Sequence, residues 1–140
     1  MKRQQKYKDT VYFTYYNANP KNRITGDCTI RALSLFLEKD YYTVYKELYD
    51  TSIKTGYMLN EKNCYERYLK EMGIEKQKQP RQADNTKYTG KEFIRDITED
   101  NKRYFAKIGG HHVTVIKDRK IIDIWDCSNK SIGNYWVIEN

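Results

Sequence analysis

The chain is poor in the residues that staple or punctuate a fold: among 140 residues there are three cysteines, two prolines and seven glycines. The cysteines, Cys28, Cys64 and Cys127, are odd in number and form no C-x-x-C pair. That speaks against a disulfide framework and against a zinc site of the usual spacing. Histidine is scarcer still, with His111 and His112 side by side. Cys28, His111 and His112 are too few and too unevenly spaced to build a metal centre, so neither metal nor other cofactor is expected. Long apolar runs are missing as well. Without about 18 consecutive apolar residues, no helical membrane span and no membrane partner are expected. The start, MKRQQKYKDT, is basic but lacks the apolar stretch of a secretory signal. The expected setting is the cytoplasm, where a functional cysteine acts as a free thiol.

What the chain does hold is tyrosine and lysine. Tyrosine supplies 14 residues, with four Phe and two Trp beside it. These rings can line a core while keeping a hydroxyl wet, and together with the aliphatic residues they suffice for one domain spanning residues 1–140. Lysine and arginine outnumber the acids 26 to 19, a net charge of +7. Such a balance admits nucleic acid as a partner. The cations are spread along the chain rather than gathered into one stripe, so that reading is kept but not favoured.

Residues 1–10 read as a disordered basic arm, and Val11–Tyr16 as a strand. After the Asn/Pro/Gly loop 17–26, Asp27 stands where it can cap a helix over Cys28–Lys39, whose Ile30, Leu33, Phe36 and Leu37 share one face. Further helices are expected over Tyr42–Lys54 and from Asn60 to Gly73. Glu75–Lys87 is polar and aperiodic, a surface loop expected to be the most flexible segment. A short helix, Lys91–Ile97, follows. The apolar period then switches to that of strands over Tyr104–Ile108, Val113–Ile116, Ile121–Trp125 and Tyr135–Ile138. Helices first and strands second is an α+β order: an N-terminal helical half packed on a C-terminal antiparallel sheet.

Two local contexts carry chemistry. In Gly26-Asp27-Cys28-Thr29-Ile30-Arg31-Ala32-Leu33, a thiol occupies the first turn of a helix. There the unpaired N–H groups and the positive dipole end favour a thiolate. In Gly109-Gly110-His111-His112, a histidine opens a strand whose hairpin partner ends in Asp123-Ile124-Trp125-Asp126. A three-residue turn centred on Arg119 sets His112 opposite Asp126, and a two-residue turn sets His111 there. Either arrangement lets a carboxylate orient one imidazole nitrogen while the other serves the thiol.

G-D-C-x-x-R-A-L, followed by H-x-x-x-(I/V) and D-x-W-D-C-S, resembles the papain-like cysteine peptidases. More narrowly, it is similar to the small papain-fold proteins of bacteriophage and bacterial genomes. The likeness spans about residues 20–137. It implies a papain-like fold with Cys28 as nucleophile and His112, preferred over His111, as general base and acid. It also implies Asn22 as oxyanion donor, where the family has Gln. Asp126 is chosen as third member over Asp123, because the three-residue turn places it on the face of His112. The Cys28 amide is expected as the other oxyanion donor, Arg31 as a salt-bridge residue to Asp27 or a sheet carboxylate, and Trp125 as packing over the hairpin or shielding the His–Asp contact rather than binding substrate. The activity implied is that of a cysteine peptidase or amidase acting on a protein or peptide, in the host cytoplasm if phage-encoded. Transferase and deamidase variants use the same chemistry. The competing readings are a catalytically silent host-targeting binding protein and a basic nucleic-acid-binding α+β domain.

Overall fold

The computed structural model describes residues 7–140. Four helices and a five-stranded sheet form the fold: β1 Phe13–Tyr15, α1 Cys28–Leu37, α2 Tyr41–Thr55, α3 Lys62–Glu71, α4 Gly90–Asp96, β2 Lys102–Ile108, β3 His112–Lys117, β4 Lys120–Asp123 and β5 Ile132–Glu139. The strand order is β1-β4-β3-β2-β5. This is the α+β arrangement expected from the change of apolar period, with one correction. The sheet is mixed, because β1 pairs in parallel with β4 through Phe13–Ile121 and Tyr15–Asp123. Strand pairing between the two ends of a chain has no local sequence signal.

Alternation along β2 explains why both faces of the sheet are covered. Phe105 joins Val113, Val115 and Trp136 beneath α1–α3, where Leu33, Phe36, Leu48, Tyr65 and Leu69 complete one core. Tyr104, Ala106 and Ile108 face the other way, toward Phe93 and Ile94 of α4, with Phe13, Ile116, Ile121 and Ile132. Aromatic edges knit the first core: Tyr65 meets Phe105 at 5.4 Å and Trp136 at 5.9 Å, both edge-on. Such contacts add to the area term that holds the helical layer on the sheet.

Three local expectations are revised. The basic arm 1–10 lies partly outside the described residues, but residues 7–10 are held against β1. Tyr7 packs edge-on against Phe13, and the Asp9 carboxylate accepts the Tyr15 N–H at 2.8 Å. The polar loop 75–87 is pinned along the outer edge of β5. Gln77 exchanges backbone hydrogen bonds with Tyr135, and the Gln79 side chain donates to the Ile132 carbonyl at 2.9 Å. An edge strand offers unpaired backbone groups, and this loop uses them. The third revision is the β3–β4 turn. Its two residues, Asp118 and Arg119, both have positive φ, 51° and 59°, and the ladder pairs Lys117 with Lys120 and Ile116 with Ile121. A two-residue turn of this hand matches the strand twist, even without glycine. Arg119 is anchored by its side chain, which donates to the Thr98 carbonyl at 3.2 Å.

Phe105, fully buried between the helices and Trp136, tests this packing. Phe105→Ala is expected to cost about 3–5 kcal/mol, read as a lower urea midpoint with an unchanged slope.

Candidate active site

Cys28 is the first residue of α1, and its thiol is half-buried. Asp27 is the N-cap residue, as expected, yet its side chain caps nothing. The Asp27 carboxylate is drawn instead into the interior. Its Oδ1 accepts Arg31 Nε at 2.8 Å; its Oδ2 accepts the Tyr41 hydroxyl at 2.8 Å and the Asn19 amide at 2.9 Å. The first-turn amides of α1 are thereby left without a side-chain acceptor, open to an oxygen brought by a ligand.

Arg31 lies one turn further along α1 and is buried. Besides Asp27, its Nη1 donates to Asp123 Oδ1 at 2.9 Å, so both partners considered for it in sequence are used at once. Asp123 closes β4 and is itself 3% exposed. Its carboxylate is saturated. Oδ1 also accepts the Ile124 N–H at 2.7 Å, and Oδ2 accepts the Thr114 hydroxyl at 2.8 Å and His112 Nε2 at 2.6 Å. Burial would raise the Asp123 pKa, but the hydrogen bond from His112 and the charges of His112 and Arg31 hold it below the ordinary carboxylate range.

Because Asp123 is ionised and can only accept, His112 Nε2 carries a hydrogen. Nδ1 is then the nitrogen free to exchange a proton with Cys28. Burial opposes the imidazolium. The bond to Asp123, those to Cys127 and Cys28, and the attraction of Asp123 outweigh it and raise the His112 pKa well above its usual value. For Cys28, burial likewise opposes the charged form. The hydrogen bond with His112, the Val113 N–H, and the charges of His112 and Arg31 reverse that and lower the thiol pKa. The result favours a thiolate–imidazolium pair. Trp125 stands edge-on to the His112 ring at 4.8 Å, the shielding position expected of it.

The structure therefore brings Cys28 and His112 together but sets Asp123, not Asp126, on the imidazole. The cause is the two-residue turn: continuing its register places Thr114 opposite Asp123 and carries Asp126 past the end of β4. There Asp126 Oδ1 accepts the Ser128 N–H and hydroxyl at 3.1 and 2.6 Å, a local turn. His111 is exposed. Asn22 is not brought to the cysteine. It is exposed at a positive φ of 52°, in a turn closed by its own N–H on the Asn19 carbonyl, and lines neither cavity beside α1.

Cys127 is the member that sequence reasoning passed over. It is fully buried, and its sulfur reaches His112. His112, Asp123 and Cys127 offer ligand atoms within 4.8 Å of one another. They suit a cation poorly. His112 Nε2 and Asp123 Oδ2 are committed to each other, burial pushes the Cys127 thiol pKa up, and the Arg31 guanidinium stands on the same carboxylate.

Two open cavities flank the start of α1. One, of about 280 Å³, is lined by Gly26, Thr29, Ile30, Tyr41, Tyr45 and Met58, among others. The other, of about 500 Å³, is lined by Thr29, Lys62, Tyr65, Lys107, His111 and His112, among others. No helix among the described residues is long and apolar enough to cross a membrane. Set against models of protein families, characterised proteins and solved structures, the chain finds no match.

Two outcomes are expected. Alkylation of Cys28, followed by peptide mass spectrometry across pH, should show a midpoint below that of an ordinary thiol. Cys64 and Cys127, whose pKa values burial raises, should react later. In His112→Ala the Cys28 midpoint should rise, because burial then goes largely unopposed. Separately, Arg31→Met should destabilise the fold by about 3–5 kcal/mol in chemical denaturation, since it strands two buried carboxylates.

Proposed function

We propose that the protein is a papain-like cysteine peptidase or amidase, acting on a peptide or isopeptide-type amide through Cys28, His112 and Asp123. One observation carries the reading: a single half-buried imidazole joins the Cys28 thiol to an ionised, fully hydrogen-bonded carboxylate. An order of nucleophile on the first helix, then His and Asp on the sheet, agrees with the family that the motifs resemble. Small bacteriophage or bacterial factors working in the cytoplasm are the setting that the resemblance suggests.

In this mechanism the Cys28 thiolate forms a bond to the carbonyl carbon, and charge moves onto the oxygen. The uncapped amides at the start of α1, that of Cys28 first, face this oxyanion. Collapse breaks the C–N bond as His112 gives its proton to the departing amine, leaving a thioester on Cys28. A water molecule then yields a proton to His112 and attacks the thioester, releasing the acid and restoring the thiolate. Asp123 keeps its charge throughout and holds the ring in the productive tautomer. An amine or thiol acceptor in place of water makes the same site a transferase, and a glutamine side chain as donor makes it a deamidase.

Labelling with a peptide vinyl sulfone, read by intact mass, tests the proposal. One adduct on Cys28 is expected, absent in Cys28→Ala and in His112→Ala. Asp123→Asn should slow labelling by on the order of 10²–10⁴, whereas Asp126→Ala should stay within about twofold. Equal rates for the wild-type and Asp123→Asn proteins would refute the triad. A reactive Cys28 that turns over no peptide or isopeptide would favour the silent binding protein instead.

A further inference from the structure

The two cavities differ in chemistry, and the proposed reaction gives each a side. His112 must protonate the leaving amine, so the amine half of the substrate lies in the cavity that His112 helps to line. The acyl half is then assigned to the other cavity at the start of α1, walled by Gly26, Ile30, Tyr45 and Met58. The acyl side is largely apolar and aromatic. The amine side holds two lysines.

Lys107 alternates with Phe105 along β2, so it faces the helical layer, half-buried, against the wall that carries Tyr65. Lys62, exposed at the start of α3, lines the same cavity. Neither ammonium has a carboxylate within ion-pairing distance. The nearby Glu66 is paired with Lys76 at 2.7 Å, and Glu61, which also lines the cavity, accepts the Met58 N–H at 3.2 Å. Burial and the charges of Lys62 and Lys76 lower the pKa of Lys107, against the Glu66 carboxylate, which raises it.

We infer that this cleft selects peptides with an acidic residue on the amine side of the scissile bond, seated between Lys62 and Lys107. The orientation rests on the acyl-transfer reading; the anion site itself rests on the unpaired lysines and the cavity. An acidic side chain there gains two charge-assisted contacts in a partly desolvated pocket. A basic one meets like charge beside the His112 imidazolium.

The test has two arms. In the first, wild-type protein cleaves a peptide library made by digesting a denatured proteome with an aromatic-specific protease, and the new N-termini are sequenced by mass spectrometry. Asp and Glu should exceed Lys and Arg by about tenfold within the first two residues after the cut. Lys62→Glu should erase that bias, and Lys62→Glu with Lys107→Gln should invert it. Lys91→Glu, which makes the same charge change as Lys62→Glu on exposed α4, should leave the bias alone. In the second arm, Cys28→Ala binds the acidic and basic versions of one fluorescent octapeptide in an anisotropy titration. The acidic version should bind more tightly, and Lys62→Glu in the same background should remove the difference. Cleavage without acidic bias, or bias that survives Lys62→Glu, overturns the inference and leaves the peptidase reading intact. If no peptide is cleaved but Lys62-dependent acidic binding persists, the peptidase reading fails and the anion site stands. The absence of both cleavage bias and binding preference overturns the site outright.

Discussion

A buried guanidinium organises this molecule. Arg31 bridges Asp27, four residues before it on α1, and Asp123 at the end of β4. Every group in the candidate site is set by that bridge. It holds the helix that carries Cys28 against the strand end whose carboxylate orients His112. Charges alternate along the line from Asp27 through Arg31, Asp123 and His112 to Cys28, so each ion is offset by its neighbours in an interior that would tolerate none of them alone. A dry pair of this kind contributes little net stability compared with apolar residues of the same shape. What it supplies is position, because the guanidinium fork accepts only a narrow set of carboxylate geometries.

The same bridge explains why α1 begins as it does. Asp is among the best residues for closing a helix N-terminus, and here it stands in the right place. Arg31, Tyr41 and Asn19 compete for its oxygens and win, so the helix starts uncapped. Local capping is given up, and the first-turn amides of α1 are left without a side-chain acceptor. This conflict between a residue's local preference and its actual use is characteristic of functional sites.

Much of this was legible in the chain, and the failures share a cause. All four helices and the sheet strands fall where apolar periodicity puts them, and Cys28 lies at the first turn of its helix because Gly26 and Asp27 mark that boundary. The Cys28–His112 encounter was visible as a residue pattern. The partner of His112 was not, since it hangs on whether Lys117–Lys120 turns through two residues or three. A three-residue turn puts Ile122 and Ile124 beside Ile116 with Asp126 opposite His112, an apolar stripe ending in a polar pair, and that pattern favours Asp126 over Asp123 although the chain takes the two-residue turn. Asn22 was placed by distance from the cysteine in sequence, whereas a left-handed turn directs it to solvent. Cys127 belongs to the D-x-W-D-C-S motif, but its contact with His112 was not legible, because it depends on how the chain leaves β4.

Chain order adds a temporal dimension to the site. Cys28 belongs to the first helix, while His112 and Asp123 lie on strands near the C-terminal end. During synthesis the thiol therefore emerges long before the imidazole and carboxylate that would activate it. Until β3 and β4 pair, Cys28 has only the weak pull of a solvated helix end, and its ionisation stays close to that of a free cysteine. The lowered thiol pKa and the completed packing of β3 and β4 arrive together. A nascent or misfolded copy is chemically quiet, and the rate at which Cys28 reacts becomes a direct reporter of the folded fraction.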